Sequence, residues 1–351
     1  MYKRQVLQSA IGGADCIVGI THECDYPDAV ISRNPPVVTT SDISPYTMSQ
    51  EEIHEAVCGS LKNGHSLYGL KKETLLQVQP DIIFTQQLCD VCAVSYPVVL
   101  ETCAKIVAGG EEISSSTQDK AIFDPKIISL EPSNLKDVFV TAQVAAKAMG
   151  PSFVEPAEAC IQKWQSDLGR IQQVVENWKH TSKNTTKPRV AFFEWHSPIF
   201  VGGHWIADMM RVAGAQYDMC ASGKRSFAIT DEELSELDPD YVLIGPCGFS
   251  LQQSIKDTQN LLYGVDNENL NPDAEKREKQ RLRTAWWRSL RAVQNGNVYC
   301  LDGNSYYARP GPRLVQGAGI IAACIHGADV AQALGEDLAP SSGYCKMNGP
   351  P

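Results

Sequence analysis

The sequence predicts an α/β protein of two lobes, each a helix-covered and mainly parallel sheet, joined by one long backbone helix. Up to residue 150, short apolar runs alternate with helical patterns, which is typical of parallel sheets. A single amphipathic helical pattern then covers residues 153–180 without a strand, and the alternation resumes after residue 188. We therefore expect an N-terminal lobe at 1–150, a linking helix at 151–182 and a C-terminal lobe at 183–351.

The individual elements follow from local signals. A capping box at 49–52 predicts the start of a helix, and apolar periodicity places the other elements. The predicted strands are 16–20, 82–85, 126–130, 190–193, 241–244 and 298–301. The further predicted helices are 73–78, 135–149, 206–213, 232–237, 285–293 and 314–325. The charged stretch 266–281 is predicted to be a solvated insertion or the surface of a helix.

Composition excludes several classes of protein. The formal net charge of −10 argues against a nucleic-acid partner, because phosphate binding requires a basic surface. No stretch approaches the ~20 consecutive apolar residues that a membrane-spanning helix needs. The first residues contain no apolar region typical of a secretory signal, so we expect a cytoplasmic protein. In a reducing compartment the twelve cysteines are expected to be thiols or metal ligands rather than disulfides.

Side chains suited to ligand binding gather after the predicted strands. In residues 19–27, GITHECDYP, His22 and Cys24 directly follow an apolar run. Ligands of open α/β sheets bind outside the carboxyl ends of the strands, so we expect a site in the cleft between the two lobes. The candidate ligand contacts are His22, Glu194, Trp195, Gly203, His204, Trp205, Gly248, Phe249, Asn304, Tyr306, Tyr307 and Arg309.

Four of the twelve cysteines, Cys24, Cys89, Cys92 and Cys247, come directly after predicted strands. The C-x-x-C spacing of Cys89 and Cys92 is a weak signal alone, since about 0.4 such pairs are expected by chance. Four thiolates suit tetrahedral zinc or an iron–sulfur cluster, and a histidine can replace one of them. The alternative is that these cysteines are small, half-buried residues that fill tight loops.

Other candidate residues also have two interpretations. His204 follows two glycines, which let backbone approach a bound molecule closely, so a metal contact and a structural role are both open. Trp205, Tyr306 and Tyr307 lie in loops with glycine neighbours, where a flat ligand could stack. Arg309 could bind a carboxylate or a phosphate, or pair with surface acids.

Catalysis finds less support than binding. The chain has no G-x-S-x-G elbow, no Walker lysine motif and no G-x-G-x-x-G before a helix. A nucleophile pair of Cys24 or Cys247 with His204 is a third alternative. We expect a binding protein rather than an enzyme.

The chain resembles the helical-backbone (class III) solute-binding proteins, the fold of the vitamin B12 and iron-siderophore receptors of bacterial ABC importers. The resemblance covers residues 5–325 and is greatest to a cobalamin-binding-protein-like branch. It depends on five motifs taken together: GITHECDYP, PDIIFTQQLCDVC, FFEWHSPIFVGGHW, LIGPCGF and DGNSYYARPGPRL. In this family two lobes hinged on a rigid helix close on a flat macrocycle or chelate, which implies that residues 153–180 are that helix.

The chain departs from the family's pattern in two respects. Family members usually begin with a strand and a Pro-Ser-x-Thr-Glu-like loop, whereas Met1 here directly precedes the remnant of the first helix, 5–11. We therefore expect the first N-terminal strand to be missing. A bacterial receptor is secreted and docks on a permease, and without a signal sequence no transport role is inferred for this chain.

The leading hypothesis is a cytoplasmic protein that binds a cobalamin-like corrinoid, a tetrapyrrole, or another metal-containing chelate in the interlobe cleft. In this hypothesis aromatic residues supply stacking surface, and His204 or a cysteine contacts the metal. One alternative is a carrier of zinc or an iron–sulfur cluster that uses the four strand-end cysteines. Another is a cysteine-dependent enzyme that acts on a small molecule. The sequence leaves any protein partner open.

Overall fold

A computed structural model describes residues 12–44, 47–63, 67–86, 94, 96–108, 123–183, 186–264 and 274–347. Strands alternate with helices along most of this part of the chain, so the predicted α/β class is confirmed. The chain divides into two compact units. The first comprises Met1–Ser44, Glu52–Pro132 and Lys136–Lys163, and the second comprises Pro45–Glu51, Ser133–Leu135 and Trp164–Pro351. The predicted domain boundaries stay predictions, and the predicted absence of a first strand falls on residues outside those described.

Most of the predicted helices are confirmed, but the helix predicted at 285–293 is the end of one long helix followed by a second short one. The helices at Tyr96–Ala108, Leu251–Tyr263 and Ala328–Leu338 were not predicted. The helices of the described residues are α1 (Asp28–Ile31), α2 (Gln50–Asn63), α3 (Lys72–Val78), α4 (Tyr96–Ala108), α5 (Leu135–Met149), α6 (Val154–Ser182), α7 (Ile206–Val212), α8 (Asp231–Leu237), α9 (Leu251–Tyr263), α10 (Ala274–Ser289), α11 (Arg291–Gln294), α12 (Gly303–Tyr306), α13 (Leu314–His326) and α14 (Ala328–Leu338). In the described ranges, none of these helices combines the length and the apolar character needed to span a membrane.

Helix α6 is the long helix predicted at residues 153–180. It has 29 residues, which corresponds to roughly 43 Å at 1.5 Å per residue. Apolar side chains recur along it at helical spacing and are buried: Ala157, Ile161, Trp164, Ile171 and Val175. Its residues up to Lys163 belong to the first unit and those from Trp164 to the second.

The first unit contains two separate strand pairs. Strands β1 (Thr39–Ser41) and β2 (Tyr68–Leu70) are antiparallel, and β3 (Ile82–Thr85) and β4 (Lys126–Ser129) are parallel. The parallel pair confirms two predicted strands. A core cluster of Leu75, Val99, Cys103, Ile106 and Phe123 packs beside them.

The strand predicted at residues 16–20 is wrong for most of its length. Gly13–Cys16 is a 3₁₀ turn, and Val18 is 46% exposed. Only Ile20 pairs, through a parallel bridge in which its amide donates to the carbonyl of Pro36 at 2.9 Å. An apolar, β-branched run does not form a strand unless a neighbouring strand offers a matching row of hydrogen-bonding groups.

The second unit contains a six-stranded sheet in the order β10-β9-β8-β5-β6-β7. Its parallel centre, β5 (Val190–His196), β8 (Tyr241–Ile244) and β9 (Val298–Leu301), confirms three predicted strands. Three short antiparallel strands flank this centre: β6 (Ile199–Val201), β7 (Ala228–Ile229) and β10 (Tyr344–Lys346). Strand β5 runs past its predicted end at residue 193 because its last residues pair with β6 in a hairpin. One face of the sheet packs on Trp287, whose side chain is fully buried against Phe193.

Candidate functional site

The last residues of β5, the loop that follows β8 and the segment that follows β9 meet at one edge of the second unit's sheet. The amide of Cys247 donates to the carbonyl of Glu194 at 3.1 Å, and the amide of Asn304 donates to the carbonyl of Phe249 at 3.0 Å. These bonds tie the three segments together, as expected for the carboxyl ends of parallel strands. We call this group of residues the strand-end site: Glu194, Trp195, Cys247, Gly248, Phe249, Gly303 and Asn304.

Close packing between two loops defines part of the strand-end site. A Cβ at Gly303 would lie 2.1 Å from the carbonyl oxygen of Pro246, so only glycine allows this approach. On the other side, the rings of Trp195 and Phe249 meet edge to face, with centroids 5.6 Å apart. Phe249 is buried whereas Trp195 is half-buried, so Phe249 is a support against which Trp195 is oriented.

The carboxyl group of Glu194 is held by two donors. The Ser226 hydroxyl donates to Oε2 at 2.5 Å, and the Gly203 amide donates to Oε1 at 3.3 Å. Burial raises the pKa of Glu194 to about 6, and the two hydrogen bonds offset part of that shift. Burial first, and the nearby Glu194 charge second, also raise the pKa of Tyr217, whose hydroxyl donates to the carbonyl of Gly202 at 2.6 Å.

Gly203 brings the chain next to this carboxyl group. A Cβ at this position would lie 2.3 Å from the amide nitrogen of Ser226, so the backbone can pass here only without a side chain. The sequence predicted Gly203 as a site residue, and the structure supplies a steric reason for a glycine. Ser226 and Tyr217 were not predicted, because hydroxyl-bearing loop residues have no distinctive local spacing.

His204 has an unusual backbone conformation. Its φ of +53° lies in the left-handed region, and its amide donates to the carbonyl of Lys224 at 2.5 Å while its carbonyl accepts from Gly223 at 2.9 Å. Burial and then the charge of Arg225 lower the pKa of His204, although a hydrogen bond to the Ser133 backbone acts in the opposite direction. The imidazole is therefore neutral at pH 7, and its buried Nδ1 has no hydrogen-bond partner among the described residues.

Trp205 and Tyr307 are core residues in this structure. They are 4% and 2% exposed, and the indole Nε1 of Trp205 donates to the carbonyl of Tyr307 at 2.8 Å. The Tyr307 ring also packs on Phe192 at 5.2 Å, and its hydroxyl donates to the carbonyl of Gly317. Stacking with a ligand requires an exposed ring face, so the predicted stacking roles of these two residues are not supported by their burial.

Tyr306 and Arg309 differ in their exposure. Tyr306 is half-buried, and the guanidinium of Arg313 lies 5.7 Å from the centre of its ring. Arg309 is 5% exposed, which does not fit the predicted alternative that it pairs with acids on the surface. Its predicted role as an anion contact stays a prediction.

His22 is held by contacts inside the first unit. Its ring Nδ1 and its amide both bond to the hydroxyl oxygen of Thr39, at 2.7 Å and 2.9 Å. The ring stacks on Tyr68 with a centroid distance of 5.8 Å, and burial lowers the pKa of the imidazole. These contacts explain His22 as a structural residue, and its role as a ligand contact stays a prediction.

The predicted cluster of four cysteines lies partly outside the described residues, because Cys89 and Cys92 are not described. Cys24 lies 3.2 Å from the Thr21 hydroxyl, and Cys247 belongs to the strand-end site. In the ranges that the structure describes, no three His, Cys, Asp or Glu side chains form a group that could hold a metal ion. The zinc and iron–sulfur hypotheses therefore stay predictions.

A second polar network, unpredicted from the sequence, is buried in the second unit. Nε2 of His196 lies 2.5 Å from Oδ2 of Asp257, and the side-chain Nε2 of Gln50 donates to the same oxygen at 2.5 Å. The amide of His196 in turn donates to Oε1 of Gln50 at 3.0 Å. This closed set of hydrogen bonds holds the first residues of α2 on the end of β5.

A sequence match to a family of known proteins identifies the family of this chain. The profile of the periplasmic binding protein family matches residues 124–304, slightly more than half of the chain. The chain belongs to the periplasmic binding protein family. The resemblance to class III solute-binding proteins is thereby confirmed, and no curated protein matches the chain.

Solved structures of this family share the fold. A periplasmic heme binding protein from Pseudomonas aeruginosa is 17% identical, with a TM-score of 0.57 over 92% of this chain and 88% of that chain. The periplasmic vitamin B12 binding protein of Vibrio cholerae is 15% identical, with a TM-score of 0.53 over 92% of each chain. A possible iron-binding protein from Staphylococcus epidermidis is 14% identical, with a TM-score of 0.58 over 92% and 95%.

The prediction of a cytoplasmic protein is wrong. The family is one of periplasmic binding proteins, and the solved structures named above include periplasmic heme and vitamin B12 binding proteins. The expectation that the cysteines stay reduced depended on a cytoplasmic location, so it loses its basis.

Proposed function

We propose that this protein is a solute-binding protein for a flat, metal-containing tetrapyrrole, either a cobalamin-like corrinoid or a heme. Family membership and the ligands named for the similar structures support this class of ligand. The observation that carries the proposal is the strand-end site, where the end of β5, hydrogen-bonded to the segment after β8, carries a carboxyl group beside a half-buried indole. The ordinary position for a ligand in an open α/β sheet is this edge.

Each residue of the proposed site has a defined role. Trp195, oriented by Phe249, supplies a face for stacking with the macrocycle, and Tyr306 is a second half-buried ring at the end of α12, after β9. Glu194 accepts hydrogen bonds from polar groups at the ligand's edge. Trp205 lies beneath the site as a support rather than as a contact.

His204 is the proposed contact to the metal of the ligand. A metal ligand must be a neutral imidazole, and the lowered pKa of His204 supplies that form at neutral pH. Its Nδ1 is buried and has no partner among the described residues, so coordination would need a rotation of the ring that exposes this atom to the ligand. His204 is also a non-glycine residue at positive φ, and such strained conformations are concentrated at functional sites.

Titration of the purified protein with hemin, with cobalamin and with a ferric hydroxamate siderophore tests the proposal. We expect saturable changes in the visible spectrum with a tetrapyrrole, and Trp195→Ala should weaken that binding by about 2- to 10-fold, because ring stacking contributes about 0.5–1.5 kcal/mol beyond area burial. Trp286→Ala, a half-buried indole on α10, is the matched control. No binding of either tetrapyrrole, or equal losses in both variants, would contradict the proposal.

His204→Ala separates coordination from simple occupancy. If His204 contacts the metal, the variant still binds the macrocycle but its visible spectrum loses the band shift of the wild-type complex. An unchanged spectrum in a folded variant would remove His204 from the site and leave the stacking residues in place.

A further inference from the structure

Two cysteines face each other across the antiparallel edge of the second unit's sheet. Strands β9 and β10 pair with Cys345 directly opposite Cys300. Two residues further along, the amide of Met347 donates to the carbonyl of Val298 at 2.9 Å. Because hydrogen-bonded pairs recur every second residue in an antiparallel ladder, Cys345 and Cys300 are also a hydrogen-bonded pair, with Cα atoms about 5.5 Å apart.

The Cα separation lies within the range of disulfides, but the Cβ atoms of a hydrogen-bonded pair are up to about 5.5 Å apart, so closing the bond to the ~3.5–4.5 Å that a disulfide needs requires a small local shift of β10. Cα atoms joined by a disulfide are usually 5.5–6 Å apart, and directly opposed residues in a sheet project from the same face. Both thiols are free in this structure. The Cys300 sulfur contacts the carbonyl of Ser254 at 3.5 Å and lies beside the Thr258 side chain, and the Cys345 sulfur contacts the carbonyl of Lys346 at 3.6 Å. Rotation of the two side chains can break these contacts.

The compartment decides whether such a pair is oxidised. Disulfides form and persist in the bacterial periplasm, whereas the cytosol keeps thiols reduced. The chain belongs to a periplasmic family, so an oxidising environment is the relevant one. We propose that Cys300 and Cys345 form a cross-strand disulfide that joins β10 covalently to β9.

The exchange with a disulfide oxidant is a balanced two-step reaction. The Cys345 thiolate, which is partly exposed, attacks one sulfur of the oxidant, forms a mixed disulfide and releases one thiol. The Cys300 thiolate then attacks Sγ of Cys345 and releases the second thiol. The two protein thiols lose two protons and two electrons, and the oxidant's sulfur–sulfur bond is reduced to two thiols.

The second step is the slow one in the folded protein. Burial raises the pKa of Cys300 to about 12, so only a very small fraction is thiolate at neutral pH. Closure of the disulfide should therefore accelerate with pH in the alkaline range. Oxidation before the strand is fully packed, during folding, avoids this limit.

The disulfide would stabilise residues that pack against the strand-end site. The turn Ser341–Gly343 leads into β10, and a Cβ at Gly343 would lie 2.9 Å from Cε2 of Tyr306. The amide of Asp302, at the start of the site loop, donates to the carbonyl of Gly343 at 2.9 Å. A covalent link between β10 and β9 therefore also restrains the turn Ser341–Gly343, on which the Tyr306 ring packs.

The test is oxidation of the full-length protein with oxidised glutathione at alkaline pH, followed by alkylation and peptide mapping without reductant. We expect one cross-linked peptide pair that contains Cys300 and Cys345, lighter by two hydrogens than the reduced pair, and a rise in Tm that reductant abolishes. Cys345→Ser removes both signals, while Cys160→Ser, a matched half-exposed thiol on α6, keeps them.

Three outcomes would overturn the inference. These are full alkylation of both cysteines after oxidation, glutathione retained on Cys345, and a cross-link between other cysteines. Each is independent of ligand binding, so failure here leaves the proposed function standing, and failure to bind a tetrapyrrole leaves the disulfide standing.

Discussion

The Ser226 hydroxyl donates a 2.5 Å hydrogen bond to Oε2 of Glu194. Its effect on the pKa of this carboxyl group is opposite to the effect of burial. The hydrogen bond favours the ionised form, whereas burial favours the neutral form. Burial is the larger effect, and the pKa of Glu194 rises to about 6. The folded protein therefore holds a proton here at pH values where the unfolded chain has lost it.

Glu194→Gln should change how stability depends on pH. Between pH 4.5 and 6 the folded state binds more protons than the unfolded state, so the contribution of Glu194 to the free energy of unfolding falls as pH rises. The total loss by pH 7 is about 2 kcal/mol. Urea unfolding from pH 4.5 to 7.5 should show this loss in the wild type but not in Glu194→Gln. Parallel curves for the two proteins would contradict it.

Ser226→Ala should make that dependence steeper. The variant removes the hydrogen bond that lowers the pKa of Glu194, so this pKa rises further. The free energy of unfolding then continues to fall up to a higher pH than in the wild type. We expect a cost of about 1–3 kcal/mol at pH 7.5, because a buried charged acceptor loses its partner. The same urea series measures it. Ser235→Ala on the exposed part of α8 is the control, and an equal loss there would refute the assignment.

Gly303→Ala should disrupt the strand-end site. Its Cβ would lie 2.1 Å from the Pro246 carbonyl, which is backbone and cannot swing aside. We expect destabilisation of at least ~1–3 kcal/mol from overpacking. Gly59→Ala on α2, where an added Cβ meets nothing within 4 Å, should instead be stabilising by about 0.5–1 kcal/mol. Thermal unfolding of both variants, side by side, decides the point.

Asp257→Ala should be costly because Asp257 is shared by two donors. Its Oδ2 lies 2.5 Å from both His196 Nε2 and Gln50 Nε2, and removal leaves these polar groups buried. The expected loss of unfolding free energy is about 1–3 kcal/mol. Asp337→Ala, which is exposed on α14, should change stability by less than about 0.5 kcal/mol. Similar losses in both would show that the network contributes nothing.

The most strongly periodic elements were predictable from the sequence, whereas the shortest strands and two helices of 13 residues, α4 and α9, were not. The apolar spacing along α6 extends over 29 residues, so its identity was unambiguous. Strands β6, β7 and β10 have two or three residues each, which is too few for an alternation to be recognised. The apolar run at 16–20 was predicted to be a strand but is not one. Its composition is typical of a strand, yet only Ile20 forms a bridge to another segment.

The site was predictable in its position and less so in its details. Parallel strands must deliver their following loops to one edge, so Glu194 and Asn304 could be grouped from topology alone. The burial of Trp205 and Tyr307 could not be predicted, because it depends on packing against residues distant in the sequence such as Phe192. The hydroxyl donor Ser226 lies 32 residues from Glu194, with no local pattern to indicate it.

The outer strands of the second unit's sheet are short, with two residues in β7 and three in β10. A sheet border of this length leaves few unpaired amides and carbonyls in a row, and a second polypeptide needs several to dock as an added strand. Fibril growth by edge-to-edge stacking of this sheet is therefore disfavoured, even at high protein concentration.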